Sequence, residues 1–257
     1  MIFNMQKYFE RMNACSSISL DREGLFKLHE AHFYNIPFEN FEMSTNKKFG
    51  LDHDYIFDRV ITQRKGGICY ETCLLMALAF DEIGFKYRKR LARVHAPVLT
   101  PATHQVFIVE LDSENWLFDV GFGAKGPRAP LLLQNGYLYK CPFHSTKITA
   151  DKNYGWIVSV KENIKPDAEW ELIYSFYDLF TTNEDIEMSY YYTVNSNKSL
   201  LNTNKVISLP IENGRISIRN KTYTEVQHNQ FFTRELESDM EVQHLIRDKF
   251  GIDIKIN

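Results

Sequence analysis

An α+β fold is predicted by the way two hydrophobic periods divide the chain. Apolar residues recur at helical spacing through the first third, and short alternating runs fill the middle third. The last third mixes short strands with one capped helix. From about Asp21, Leu25, Leu28 and His32 share one helical face, with a stop at Pro37. A second helix starts near Asp52 and carries Ile56, Val60 and Ile61. A third begins at Cys69, takes Leu74, Leu75, Leu78 and Ile83 inward, and ends at Gly84. Tyr87 to Val94, Gln105 to Leu111, Trp116 to Val120 and Trp156 to Val160 read as strands of a sheet or barrel. After Glu169 the pattern blurs through an Asn-rich stretch, Asn195 to Asn204, which reads as an exposed loop. Glu212-Asn213-Gly214 and Asn220-Lys221 punctuate short strands, and Ser238 to Phe250 closes as a helix ended by Gly251.

The segment Arg64-Lys65-Gly66-Gly67-Ile68-Cys69-Tyr70-Glu71 sets one thiol just past a Gly-Gly turn, at a helix start. Unpaired N–H groups and the positive end of the helix dipole favour thiolate there, so Cys69 is expected to titrate below the free value of about 8.5. His104 and Asp119 follow on predicted strands, separated by the turn Asp112-Ser113-Glu114-Asn115. This is the chain order of a thiol nucleophile, its base and the group that orients the base. The competing reading is a buried structural cysteine, since free cysteine packs as a small hydrophobe. A hairpin closing around Ser113 and Glu114 sets Leu111 opposite Trp116 and Ile108 opposite Asp119, with His104 and Asp119 on one face. That register leaves the two about 13 Å apart along the strands. A hydrogen bond between them then needs a bulge, a bend or a different pairing.

Those segments, with Thr103-His104-Gln105-Val106, Trp116-Leu117-Phe118-Asp119-Val120-Gly121-Phe122-Gly123 and Ile36-Pro37-Phe38-Glu39-Asn40, resemble the arylamine N-acetyltransferase family. Residues beyond Phe143 match it loosely. The resemblance implies three parts: a helical bundle over residues 1–84 carrying the nucleophile, a β-barrel over 85–190 carrying the histidine and aspartate, and an α/β lid over 191–257. At their meeting it implies a cysteine-protease-like core with Cys69, His104 and Asp119 as triad. It implies acetyl-coenzyme A as co-substrate and an aromatic amine or hydrazine as acceptor. Covalent catalysis through an acetyl-cysteine then predicts ping-pong kinetics. By the same resemblance, Gly121, Phe122 and Gly123 border the coenzyme and acceptor pocket, and Phe38 lines it. On residue type alone, the glycine loop also reads as a strand-ending turn and Phe38 as core.

Two positions depart from the family. Lys65 stands where arginine is usual before the paired glycines, and Cys73 where asparagine is common. If that first position braces Glu39, a lysine point charge holds it more loosely than a guanidinium fork. Cys73 lies one helical turn from Cys69 and faces the same way. Three alternatives share parts of the pattern: a cysteine protease or transglutaminase-type enzyme, a related amide synthase with a carrier-bound donor, and a non-catalytic relative.

Composition narrows the classes. With 257 residues, 44% hydrophobic and 14% aromatic, the chain can bury a sizeable core without staples. A net charge of −3 gives no basic footprint for nucleic acid or an anionic membrane. Arg88-Lys89-Arg90 with Arg93 reads as a solvated strand face. Cys15, Cys69, Cys73 and Cys141 lack paired spacing, and nothing nearby completes a site with His29 and His32, so no metal is expected. No phosphate-binding Gly-rich loop appears. Lys7 and Glu10 interrupt the N-terminal segment Met1 to Glu10, and no stretch reaches the ~18 apolar residues of a membrane span. A cytoplasmic enzyme with four free thiols is expected.

Overall fold

The computed structural model describes residues 3–14, 17–43, 48–95, 97–164, 167–228 and 230–256, so Met1 and Cys15 lie outside the described residues. Helix α1 (Met5–Arg11) starts where the Asn4 side chain accepts the Lys7 N–H. Helix α2 (Arg22–Asn35) starts where Asp21 accepts the Gly24 N–H at 2.8 Å, and it buries Leu25, Leu28, His29, His32 and Phe33. Its stop at Ile36 precedes Pro37, as the sequence predicts. Helix α3 (His53–Phe57) is capped by Asp52 and passes directly into a π-helical turn, Asp58–Thr62. Helix α4 (Cys69–Ile83) ends on Gly84 in the left-handed region at φ +97°. The four helices share one apolar core, with Tyr8, Leu25, Ile56, Val60, Leu75 and Phe80 all buried.

Eight antiparallel strands follow in the order β5-β4-β3-β2-β9-β8-β7-β6. Their ranges are β2 (Lys86–Val94), β3 (Ala102–Leu111), β4 (Glu114–Phe118), β5 (Leu131–Leu132), β6 (Leu138–Lys140), β7 (His144–Asp151), β8 (Gly155–Glu162) and β9 (Glu171–Phe176). The edge strands β5 and β6 are consecutive in the chain, and the link between them is held by the mutual backbone bonds of Gly136 and Tyr137 with Ile148. One buried cluster takes Ala92, Val106, Leu117, Leu131, Ile148, Val158 and Ile173 from both halves of the sheet. Curling around a single interior makes the sheet barrel-like and nearly closed, as expected for the middle third.

Helix α5 (Asn183–Asn195) starts at a reciprocal Thr182–Asp185 capping box, and residue 190, the expected second boundary, falls within it. The Asn-rich stretch is not a plain exposed loop. It forms the short helix α6 (Leu200–Thr203), because the Asn40 side chain donates to the carbonyls of Leu201 and Asn204 at 2.6 and 2.7 Å. A second sheet has the order β1-β10-β11-β12-β13. It joins β1 (Phe38–Glu39) to β10 (Val206–Ile211), β11 (Gly214–Arg219), β12 (Thr222–Gln227) and β13 (Gln230–Glu235). Pairing of Phe38 with Ser208 ties the first third of the chain to the last. Helix α7 (Asp239–Phe250), capped by Ser238 and ended by Gly251, covers this sheet with Val242, Ile246 and Phe250.

Candidate active site

The loop that leads into Cys69 is held from below. Gly67 donates to Pro37 and accepts from the Glu39 N–H, both at 3.1 Å, which docks the loop on β1. A Cβ on Gly66 would stand 2.3 Å from the Pro37 carbonyl, so glycine is needed at this approach. Cys69 therefore opens α4, with Glu71 reaching back to accept the Ile68 N–H at 2.9 Å. Arg59, from the π-helical turn, bridges Glu71 at 2.6 Å and Glu39 at 2.9 Å, all three side chains being buried. Burial outweighs these contacts for Glu39 and raises its carboxyl above the ordinary range. The brace on Glu39 is thus Arg59 and not position 65, whose Lys65 pairs with Glu42 instead.

His104 and Asp119 meet through a register other than the expected one. Leu111 faces Glu114, and Ile108 faces Leu117. The turn is only Asp112 and Ser113, at φ 51° and 64°, a two-residue hairpin loop of the primed kind. Strand β4 ends at Phe118, so Asp119 projects from the strand exit toward His104. The slip of two residues removes about half of the expected 13 Å separation. A bulge between Ala92 and Arg93, opposite His104 and Ala102, bends the neighbouring strand there.

His104 Nε2 donates to Asp119 Oδ2 at 2.9 Å, and the Cys69 thiol donates to the carbonyl of Thr103, the residue before His104, at 3.9 Å. Asp119 Oδ1 accepts the N–H groups of Gly121 and Phe122 at 2.9 and 3.2 Å. Burial alone would discharge the imidazole, but the Asp119 carboxylate overrides it and raises His104 to about 10. Burial likewise works against the Asp119 anion, yet the histidine and the loop amides hold it below the usual carboxylate range. The arrangement can keep a thiol beside a protonated, oriented imidazole, the set required for nucleophilic acyl chemistry. Cys73 is separate from it: burial pushes that thiol well up, and its sulfur donates to the Gln105 carbonyl at 3.4 Å.

A cleft of about 640 Å³ opens onto Cys69 and His104. Phe38, Gly121 and Phe122 line it, together with Val94 and Ile173. Gly123 does not line it. At φ +87° it lies under Phe38 and Ser208, where a Cβ would come within 2.7 Å of the serine hydroxyl. Gly121 backs Cys69, and a Cβ there would meet the Cys69 Cβ at 2.7 Å. The outer wall comes from the last third of the chain, with Leu200, Leu201, Ser208, Ser217 and Thr224. Arg88 and Arg90 stay outside the cleft and pair with Asp178, Arg90 being buried rather than solvated.

Three supporting residues escape sequence reasoning. His29 donates from Nε2 to the Asp119 carbonyl at 2.9 Å, and burial lowers it to about 4, which keeps it neutral. Tyr174 is fully buried, with its ring 5.0 Å from the His104 ring and 5.4 Å from Phe122. Tyr70 donates to the Thr103 carbonyl at 2.9 Å and bonds Ser189, which fastens α5 over the nucleophile helix. None carries a local signal, because each partner is remote in sequence. No group of three or more His, Cys, Asp or Glu side chains among the described residues could hold a metal ion.

A model of the N-acetyltransferase family matches residues 21–257. The arylamine N-acetyltransferase of Escherichia coli is 24% identical over 256 residues, spanning 97% of this chain and 89% of that protein. The solved arylamine N-acetyltransferase from Salmonella typhimurium superposes with a TM-score of 0.85 at 25% identity, covering 96% of this chain and 90% of that one. The structure of the Mycobacterium marinum arylamine N-acetyltransferase in complex with CoA gives a TM-score of 0.84 at 24% identity, covering 97% and 93%.

Proposed function

The chain belongs to the arylamine N-acetyltransferase family, and from that premise we propose that Cys69, His104 and Asp119 carry out its acyl transfer. It is an acyltransferase that takes acetyl-coenzyme A as co-substrate and passes the acetyl group to an aromatic amine or hydrazine. The single observation that carries the residue assignment is the His104 ring, bonded to Asp119 at 2.9 Å and lining the same cleft as the Cys69 thiol, which itself donates to the carbonyl of the adjacent Thr103.

His104 holds the Cys69 proton as imidazolium, and Asp119 stabilises that charge. The thiolate attacks the thioester carbonyl; the bond to the coenzyme sulfur breaks, and the departing thiolate takes the His104 proton. An acetyl-cysteine and a neutral imidazole remain. The amine then attacks the acetyl carbon and loses a proton to His104 as the Cys69 thiolate leaves, which restores the ion pair. Each carbonyl oxygen gathers charge beside the first turn of α4, whose free N–H groups and dipole favour an anion. Phe38 and Phe122 flank the acceptor, and Gly121 and Gly123 let the loop lie close to the thiol. Two half-reactions on one sulfur predict ping-pong kinetics.

Residues 1–84 in this reading supply the nucleophile, 85–190 the histidine and aspartate, and 191–257 the lid. Cleft lining by Leu200, Ser208 and Ser217 supports the last of these. Free thiols at Cys69, Cys73 and Cys141 suit a reducing cytoplasm, and no helix among the described residues is long and apolar enough to cross a membrane. Intact mass after incubation with acetyl-coenzyme A and no acceptor tests the reading. One acetyl group should appear on the wild type, be absent from Cys69→Ala, and discharge on adding aniline. An unmodified wild type would refute the donor and nucleophile together.

A further inference from the structure

The charge in the cleft is unevenly answered. Four cations and one carboxylate line it, Lys125, Lys198, Arg215 and Arg219 against Glu171, on a chain whose net charge is −3. Lys125 is neutralised by Glu171 at 2.8 Å, and Arg215 by Glu162 at 2.5 Å. Lys198 and Arg219 have no acidic partner among the described residues, and both are exposed at the cleft wall. Arg219 ends β11 opposite Val206, two residues along β10 from Ser208, which pairs with Phe38. It therefore stands about 7 Å further along the strand than the aromatic throat. Ser217 and Thr224, cross-strand partners in the same sheet, add hydroxyl donors to that wall.

An apolar throat at the thiol and unanswered cations one step out match a donor whose reactive end is uncharged and whose remote end is polyanionic. We propose that Lys198 and Arg219 bind the nucleotide phosphates of the donor, so that affinity for it is set by charge beyond the thioester arm. This rests on the acyl-transfer reading above and names residues that would select a coenzyme thioester over a simple one.

The test compares acetyl-coenzyme A, acetyl-dephospho-coenzyme A and S-acetylpantetheine as donors, reading Cys69 acetylation by intact mass over time. In the double variant Lys198→Ala, Arg219→Ala, KM for acetyl-coenzyme A should rise about tenfold with kcat retained. S-acetylpantetheine, which lacks phosphate, should show no such rise. Lys198→Arg with Arg219→Lys should restore most of the affinity, and added salt should raise KM for the wild type with acetyl-coenzyme A and not with S-acetylpantetheine. Loss of the dephospho donor's disadvantage in the double variant would assign the contact to the 3′-phosphate; an undiminished disadvantage with the tenfold rise would assign it to the pyrophosphate. An unchanged KM for acetyl-coenzyme A, or an equal loss with S-acetylpantetheine, overturns the proposal. A wild type acetylated by none of the three donors overturns the acyl-transfer reading itself.

Discussion

Gly121 shows how little room surrounds Cys69. A Cβ at this position would stand 2.7 Å from the Cys69 Cβ and 2.8 Å from its Cα, so Gly121→Ala must push α4 or the loop aside. Overpacking of this kind costs about 1–3 kcal/mol. Acylation should fall more steeply than stability, because the displaced atoms are those that react; rapid-quench acetylation beside a urea melt will separate the two. Asp119→Asn probes the charge without the shape. Its amide oxygen can still accept from Gly121 and Phe122, but the imidazolium loses its counter-charge, and kcat/KM should drop about a thousandfold or more. A drop of less than about tenfold would remove Asp119 from the catalytic set. The three residues were legible as a motif, whereas their approach was not. Asp112 and Ser113 both adopt positive φ, and an Asp-Ser pair lacks the glycine that usually announces such a turn.

Among the elements, the π-helical turn Asp58–Thr62 does most to place the site. Ile56, Val60 and Ile61 predict a helix there, and the spacing holds, but nothing in it reveals that Arg59 turns inward between two carboxylates. The link joins β1, the turn and α4, three segments whose contact is tertiary. Removing the shared cation leaves Glu39 and Glu71 buried together, so Arg59→Gln should cost about 3–5 kcal/mol in a urea titration. Lys65→Arg should change stability by less than about 1 kcal/mol, because Lys65 answers Glu42 at a half-buried site. Equal losses in the two variants would show that Arg59 does not carry the brace. The helix ends were readable for a different reason: Asp21, Asp52, Gly84, Ser238 and Gly251 act through bonds or angles within a turn of themselves.

Over the whole molecule, the least legible feature is the strand β1, two residues long, that carries the second sheet onto the Gly66-Gly67 loop. Periodicity cannot report a partner so far along the chain. The buried histidines are spread through the fold, His32 on Tyr8 in the helical core, His29 on the Asp119 carbonyl and His144 at the start of β7, and their titration bears on global stability. His29 is lowered to about 4, and His32 and His144 to about 3, chiefly by burial. Between those values and the ordinary 6.5 the unfolded chain binds protons that the folded chain refuses, so stability falls as pH drops through that window. His29 alone contributes about 3 kcal/mol of this loss on an order-of-magnitude scale. His104 has the opposite sign. Raised to about 10 by Asp119, it stabilises the fold fully below 6.5 and loses that contribution as pH climbs through about 10. Tm should therefore peak near pH 6.5 and decline on both sides. His104→Gln should flatten the alkaline arm and leave the acid arm, and His29→Leu should shallow the acid arm alone. Calorimetric scans across the range decide it, and an alkaline decline of undiminished slope in His104→Gln would place the responsible group outside the Cys69–His104–Asp119 cluster.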